Sequence, residues 1–165
     1  MKNTTLRLTR GALIAALYVI LTCVSASLGL HNGVIQFRAS EALCILPIFL
    51  PEAVPGLAVG CLISNLATGC APWDVVFGSL ATLIGAVGTY LIRKLPKKLT
   101  WLAPLPPILS NALIIPIVLI YAYSVTDGYL FLLFTVGVGE LLSAGVCGLC
   151  LYYAIKKTNL FNQPL

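Results

Sequence analysis

Charged side chains are scarce in this sequence. Asp, Glu, Lys and Arg make up 9% of its 165 residues, whereas ordinary soluble domains carry about 25% charged residues. Hydrophobic residues account for 59% of the chain. A water-soluble fold of this length could not bury so much apolar surface. The composition therefore excludes a soluble domain and indicates an integral membrane protein that works inside the lipid bilayer.

The sequence also lacks the residue sets that catalysis uses. It has one histidine, no cluster of metal ligands and no glycine-rich phosphate loop. Cys147 and Cys150 form a C-x-x-C pair, but this pair lies in an apolar segment without the strand and helix of a redox motif. We therefore expect no enzyme activity, no bound metal or cofactor, and no ATP hydrolysis by this chain alone.

Six apolar segments are candidates for membrane helices, each of which needs about 20 residues to cross a bilayer. Two of the segments are short and are separated by Pro51 and Pro55, which interrupt a helix. Short, interrupted segments are typical of backbone that lines a cavity instead of facing lipid. The sequence predicts an all-α integral membrane protein with one transmembrane domain over residues 1–165, and helices at about 11–28, 40–50, 54–67, 73–92, 102–123 and 129–155.

The formal net charge is +5, but the basic residues lie at helix ends and form no single patch, which argues against nucleic acid as a partner. Lys- and Arg-rich short loops remain in the cytoplasm. With six crossings, both termini and the even-numbered connections share one side. Nine of the ten basic residues fall on that side: Lys2, Arg7, Arg10, Arg93, Lys94, Lys97, Lys98, Lys156 and Lys157. We expect a multi-pass protein of the cell membrane with both termini in the cytoplasm.

Glu140 is a carboxylate within the last apolar segment, too far from either end to reach bulk water easily. A charge in hydrocarbon costs about 3 kcal/mol or more, so we expect Glu140 to bind a ligand in an internal cavity. The alternative is a polar partner on a neighbouring helix. Arg38 and Glu41 lie at the outer entrance of the second segment. Glu41 is a ligand candidate or a helix cap, and Arg38 is expected to bind Glu41 or a ligand carbonyl.

Four further residues have two readings each. Asn65 and Asn111 are amides in apolar surroundings, where such groups bridge helices or contact a ligand. Trp73 and Asp74 begin the fourth segment. In one reading Trp73 is an interfacial anchor and Asp74 is an ordinary residue of a helix N-terminus. In the other reading the two form an aromatic face beside a carboxylate, which would suit a flat, cationic ligand. Because three of the five acidic residues lie on the outer side by this topology, the ligand is expected to enter from outside.

The first segment opens with small residues spaced four apart, Gly11, Ala12, Ala15 and Ala16. Small residues let a second helix approach closely. The pattern predicts either packing within the protein or docking to a partner membrane subunit.

Three motifs follow one another between Ile35 and Ala86: RxSEAL-x-x-LP, PGL-x-x-G-x-x-ISN and D-x-x-FGS-x-ATL. Together they resemble the QueT family of queuosine-precursor transporters, which are substrate-binding S components of energy-coupling factor (ECF) importers. The likeness covers the whole chain in length and helix count, whereas the specific motifs lie in the central third.

The resemblance implies a six-helix S component that captures a 7-deazaguanine, such as 7-aminomethyl-7-deazaguanine or queuine, from outside. A coupling membrane subunit and two ATPase subunits would energise it, with the coupling subunit contacting the small-residue stripe. The family motifs include Arg38, Ser40, Glu41, Asn65 and Asp74.

The chemistry of a deazaguanine suits the candidate residues. The carboxylate of Glu140 or Glu41 would accept the adjacent N–H donors of the pyrimidine edge. Arg38, Asn65 or Asn111 would donate to the ring carbonyl, Trp73 or a tyrosine would stack on the base, and Asp74 would pair with an aminomethyl cation. Two other functions fit the same features: an S component for another vitamin-like compound, and a secondary transporter that needs no ATPase.

Overall fold

The computed structural model describes residues 2–30 and 36–158. Within these ranges the chain is helical and contains no strand, which confirms the all-α prediction. The structure has six main helices in the described ranges: α1 (Lys2–Ser27), α2 (Ala39–Ile48, a 3₁₀ helix), α3 (Ala53–Ala67), α4 (Pro72–Ile92), α5 (Leu105–Tyr123) and α6 (Tyr129–Thr158). A 3₁₀ turn, Lys97–Leu102, precedes α5.

In the part of the chain that the structure describes, four apolar stretches are long enough to cross a bilayer: Thr4–Ser27, Pro72–Ile92, Lys98–Tyr123 and Tyr129–Thr158. Helices α2 and α3, which lie between the first two of these stretches, are shorter. The positions of Pro51 and Pro55 predicted this interruption. Helix α1 begins at Lys2, well before the predicted residue 11, because hydropathy marks only the part of a helix that matches hydrocarbon. These lengths fit a multi-pass membrane protein.

The helices alternate in direction, and contacts between their ends define two ends of the bundle. At the Glu52 end, Arg7 and Arg10 of α1 lie 3.9 and 3.6 Å from the carboxylate of Glu52, which immediately precedes α3. At the Asp74 end, Arg38 precedes α2 and its guanidinium lies 4.0 Å from the Asp74 carboxylate in α4. The chain therefore runs from the Glu52 end to the Asp74 end and back in successive helices.

Small residues hold α1 and α3 close together. A Cβ added to Gly56 would lie 2.6 Å from the carbonyl oxygen of Gly11, and one added to Gly60 would lie 2.8 Å from Tyr18 and 3.0 Å from Ala15. Such contacts leave no room for a larger side chain at either glycine. This close approach buries the α1 residues that face α3, among them Ala15 and Tyr18.

The bundle exposes large apolar side chains on its surface, and its interior holds polar side chains beside an apolar core. Large apolar side chains such as Leu13, Leu17 and Ile20 of α1 point outward and are exposed. Polar side chains from all six helices are buried, among them Ser40, Glu41, Asn65, Asp74, Asn111 and Glu140. Because lipid cannot satisfy polar groups, these side chains need partners inside the protein or from a ligand.

Candidate functional site

Glu41 lies at the centre of a buried polar group that joins three helices. It is 2% exposed. The Tyr18 hydroxyl of α1 donates to Oε1, and the Asn111 amide of α5 donates to Oε2 over 3.4 Å. The Cys44 thiol donates to the same Oε2 over 3.2 Å. Both carboxylate oxygens of Glu41 therefore already accept hydrogen bonds from the protein.

Glu140 has a different environment. It is 7% exposed, and its Oε2 has no hydrogen-bond partner within the described ranges. The π-helical stretch Leu141–Cys147 begins immediately after it, and such wide turns often occur at functional sites. The backbone of Gln36 packs on Gly139, where any Cβ would collide with the Gln36 carbonyl oxygen. The segment before α2 therefore packs against α6 next to Glu140, and Gln36 lines a pocket with it.

These two carboxylates share one pocket with Arg38 and Asn111. The empty space measures about 290 Å³, including the part open to solvent, and its enclosed part admits about one water molecule. Its lining comprises Gln36, Arg38, Glu41, Asn111, Ile115, Val136 and Glu140. The packing of α2 against the π-helical stretch of α6 thus brings together residues that are far apart in sequence.

Asp74 forms a second buried group next to the first. It is 5% exposed, and its Oδ2 accepts a hydrogen bond of 3.0 Å from the Tyr123 hydroxyl, besides lying 4.0 Å from Arg38. Its backbone carbonyl accepts from the Asn65 amide over 3.3 Å. The same Tyr123 hydroxyl accepts from the backbone N–H of Ala71. Asp74 Oδ1 has no hydrogen-bond partner in the part of the chain that the structure describes.

Arg38 connects the two groups. It lines the pocket with Glu41 and Glu140, and it also lines a neighbouring space of about 240 Å³ together with Asn65 and residues of α1. Burial acts to lower the pKa of the Arg38 guanidinium, but the Asp74 carboxylate, with other neighbours, holds it above its ordinary value. The guanidinium therefore remains charged between the two spaces.

One face of α1 carries hydrogen bonds to the start of α2. Besides the Tyr18 contact with Glu41, the Thr22 hydroxyl donates to Ser40 over 2.8 Å, and Ser25 accepts from the Ala39 N–H over 3.0 Å. Sequence reasoning did not assign a role to these α1 residues. Tyr18, Thr22 and Ser25 are four and then three positions apart, so they lie on one face of the helix. This spacing is the feature by which the sequence could have indicated them.

Two predicted features do not join the buried groups. Trp73 is 62% exposed, stacks on Phe77 with ring centroids 5.9 Å apart, and lines neither pocket. The small-residue stripe divides: Gly11 and Ala15 pack against α3, whereas Ala12 and Ala16 are exposed. The geometry thus gathers six of the seven predicted ligand residues and leaves the aromatic one outside.

Comparison with known proteins points to one family. The family model described as QueT transporter matches residues 8–157. The Queuosine precursor transporter QueT of Lactococcus lactis subsp. cremoris (strain MG1363) is 36% identical over 92 residues, covering 54% of this chain and 53% of that protein. The match thus spans about half the length of this curated relative. No solved structure gives a significant match.

Proposed function

The chain belongs to the QueT transporter family, and we propose that it is the substrate-binding S component of an ECF-type importer for queuosine precursors. In this proposal the Asp74 end faces outward, both termini lie in the cytoplasm, and the ligand is a 7-deazaguanine captured from outside. The name of the Lactococcus lactis relative supports the substrate class, and the motifs that resemble S components support the mode of transport.

The observation that carries the proposal is a free carboxylate oxygen at the shared pocket. Glu140 Oε2 is buried and unpartnered within the described ranges, whereas both oxygens of Glu41 already accept hydrogen bonds. We therefore assign Glu140 as the acceptor for the adjacent N–H donors of the pyrimidine edge. Arg38, which lines the same pocket, donates to the ring carbonyl. Asn111 orients Glu41 through its 3.4 Å hydrogen bond.

The energising partners would bind at the opposite end of the bundle. An apolar groove runs between α1 and α3 at the Glu52 end, with an empty volume of about 830 Å³ that includes open solvent. Leu8, Ala12 and Val59 are among the residues that line it. Exposed Ala12 and Ala16 allow a second helix to approach α1 closely. This surface is our proposed site for a coupling membrane subunit, which would bring two ATPase subunits.

Calorimetric titration of the purified protein with 7-aminomethyl-7-deazaguanine tests the binding proposal. Glu140→Gln keeps the shape of the side chain but replaces one acceptor oxygen with an N–H donor, so we expect affinity to fall about 10- to 100-fold, the equivalent of one buried hydrogen bond to the ligand. The matched control is Asp127→Asn, which neutralises an exposed acidic residue and should leave affinity unchanged.

Three results would each contradict a part of the proposal. Equal affinity of the wild-type and Glu140→Gln proteins would remove Glu140 from the site. Binding of thiamine or riboflavin without binding of any 7-deazaguanine would replace the substrate class. Uptake by vesicles that contain this protein and no ATPase partner would instead favour a self-sufficient secondary transporter.

A further inference from the structure

The two glutamates of the shared pocket differ in the partners that stabilise a negative charge. Both oxygens of Glu41 accept hydrogen bonds from neighbouring side chains, those of Tyr18, Asn111 and Cys44. Donors of this kind favour the charged form of a carboxyl group. Glu140 is 7% exposed, and its Oε2 accepts no hydrogen bond within the described ranges. The contacts therefore stabilise a charge on Glu41 but not on Glu140.

The charged and titratable side chains nearest to Glu140 belong to α2 and to the segment before it. Among the described residues these are Arg38, Glu41 and Cys44, whereas α5 contributes an uncharged amide, that of Asn111. Arg38 lines the pocket, but its ion pair is with Asp74. No ion pair in the part of the chain that the structure describes includes Glu140. Its closest carboxylate neighbour, Glu41, would repel a second negative charge.

A carboxyl group in these surroundings is more stable with a proton than without one. Removal from water disfavours the charged form, and a second carboxylate in the same site disfavours it further. Two carboxyl groups that share one site commonly hold a single proton between them. Because three donors fix the charge on Glu41, this proton belongs to Glu140 when the site is empty.

We infer that Glu140 holds a proton in the empty site and releases it to solvent when the ligand binds. This inference rests on the proposed function, in which two adjacent N–H donors of the ligand need both Glu140 oxygens as acceptors. In a protonated carboxyl group one oxygen is an O–H donor, which would oppose one of these N–H groups. The ligand keeps its own hydrogens, and the carboxyl proton passes to the buffer.

The sign of the pH dependence follows from competition between the proton and the ligand. At low pH the ligand must displace the proton from Glu140, so binding is weaker. Affinity rises with pH, and it becomes constant once Glu140 is ionised in the empty protein as well. For one proton released, the rise is about 10-fold per pH unit.

Calorimetric titration in buffers of different ionisation enthalpy counts the protons. The buffer takes up each released proton, so the measured heat at one pH varies with the buffer. With 7-aminomethyl-7-deazaguanine we expect wild-type protein to release about one proton per ligand. Glu140→Gln cannot titrate at this position, so it should bind more weakly, without proton release and with nearly pH-independent affinity. The control Asp127→Asn, at an exposed carboxylate, should release the proton as the wild-type protein does.

Infrared difference spectra give a second measurement that needs no substitution. The C=O stretch of a protonated carboxyl group should be present in empty wild-type protein and should disappear when the ligand binds. Glu140→Gln should lack this band with and without ligand. A band that persists in the wild-type complex would contradict the inference.

The outcomes separate this inference from the proposed function. Binding to wild-type protein without proton release would overturn the inference and leave the transport proposal intact. Proton release that persists in Glu140→Gln would place the proton on another group and would also overturn it. Failure of wild-type protein to bind any 7-deazaguanine would overturn both. The wild-type titrations and spectra decide the question even if Glu140→Gln folds poorly.

Discussion

The two ends of the bundle hold arginine and carboxylate groups in opposite proportions. At the Glu52 end, two arginines face one carboxylate, and Arg7 is 66% exposed. At the Asp74 end, within the described ranges, Arg38 is the one arginine beside three buried carboxylates. The first arrangement gives the Glu52 carboxylate, whose side chain is 9% exposed, two arginine partners. In the second, three buried carboxylates have one arginine as a neighbour, so removing that arginine would leave negative charge in the interior.

Replacing one arginine at each end would test this contrast most strongly. Arg38→Met leaves the buried carboxylates without their cation, and we expect it to lower the free energy of unfolding by about 3–5 kcal/mol. Arg10→Met, with Arg7 still close to Glu52, should lower it by about 1 kcal/mol or less. Thermal unfolding of both variants in the same detergent measures the difference. Equal losses would mean that the two ends do not differ in charge compensation.

A smaller effect is expected from the hydrogen bond that orients Glu41. Tyr18 is fully buried and donates to Glu41. Tyr18→Phe keeps the ring and removes a hydrogen bond to a charged group, worth about 1.5–3 kcal/mol. We expect weaker binding of the 7-deazaguanine ligand, measured by calorimetry, because Glu41 would lose its fixed position beside Glu140.

The matched control for Tyr18→Phe is Tyr121→Phe, since Tyr121 is 82% exposed. A double-mutant cycle that combines Tyr18→Phe with Glu41→Gln tests whether Tyr18 acts on ligand binding through Glu41. If Tyr18 acts through Glu41, Tyr18→Phe should weaken binding much less in the Glu41→Gln background than in the wild-type protein. Fully additive losses would argue against this positioning role.

The smallest expected change concerns packing at the Glu52 end and should not affect the ligand. Gly56→Ala would place a methyl group 2.6 Å from the Gly11 carbonyl oxygen, and overpacking of this kind costs about 1–3 kcal/mol. Gly137→Ala is the control, because its nearest neighbour would lie at 3.8 Å. We expect a lower thermal unfolding midpoint for Gly56→Ala alone, with unchanged ligand affinity. Weaker ligand binding would show that the two ends are coupled.

Sequence reasoning predicted the polar residues better than their contacts. Glu140 was predicted to bind the ligand because a carboxylate is costly in hydrocarbon, and that argument needs no structure. Its neighbourhood with Glu41 was not predictable, since it depends on how α2 packs against the π-helical stretch of α6. Trp73 was predicted to be either an interfacial anchor or a residue that stacks on a ligand, because hydropathy cannot distinguish a ring that faces lipid from one that faces a cavity.

The roles of Tyr18 and Tyr123 also required the structure. A tyrosine in an apolar helix has the same local sequence whether its hydroxyl reaches an interface or a buried carboxylate. Only the close contact of α1 with α3, at Gly56 and Gly60, turns Tyr18 inward. Tyr123 meets Asp74 because α5 ends beside the first turn of α4.

The sequence by itself determined that this chain is a helical membrane protein, because the length and composition of its apolar segments decide which solvent its helices tolerate. The family motifs in its central third indicated a transporter, because each motif consists of residues that lie close together along the chain. Tertiary structure alone decided which carboxylates share a pocket, which carboxylate oxygen has no partner among the described residues, and where Arg38 lies in the bundle. Those properties depend on distances between helices that are remote along the chain, and no local pattern specifies them.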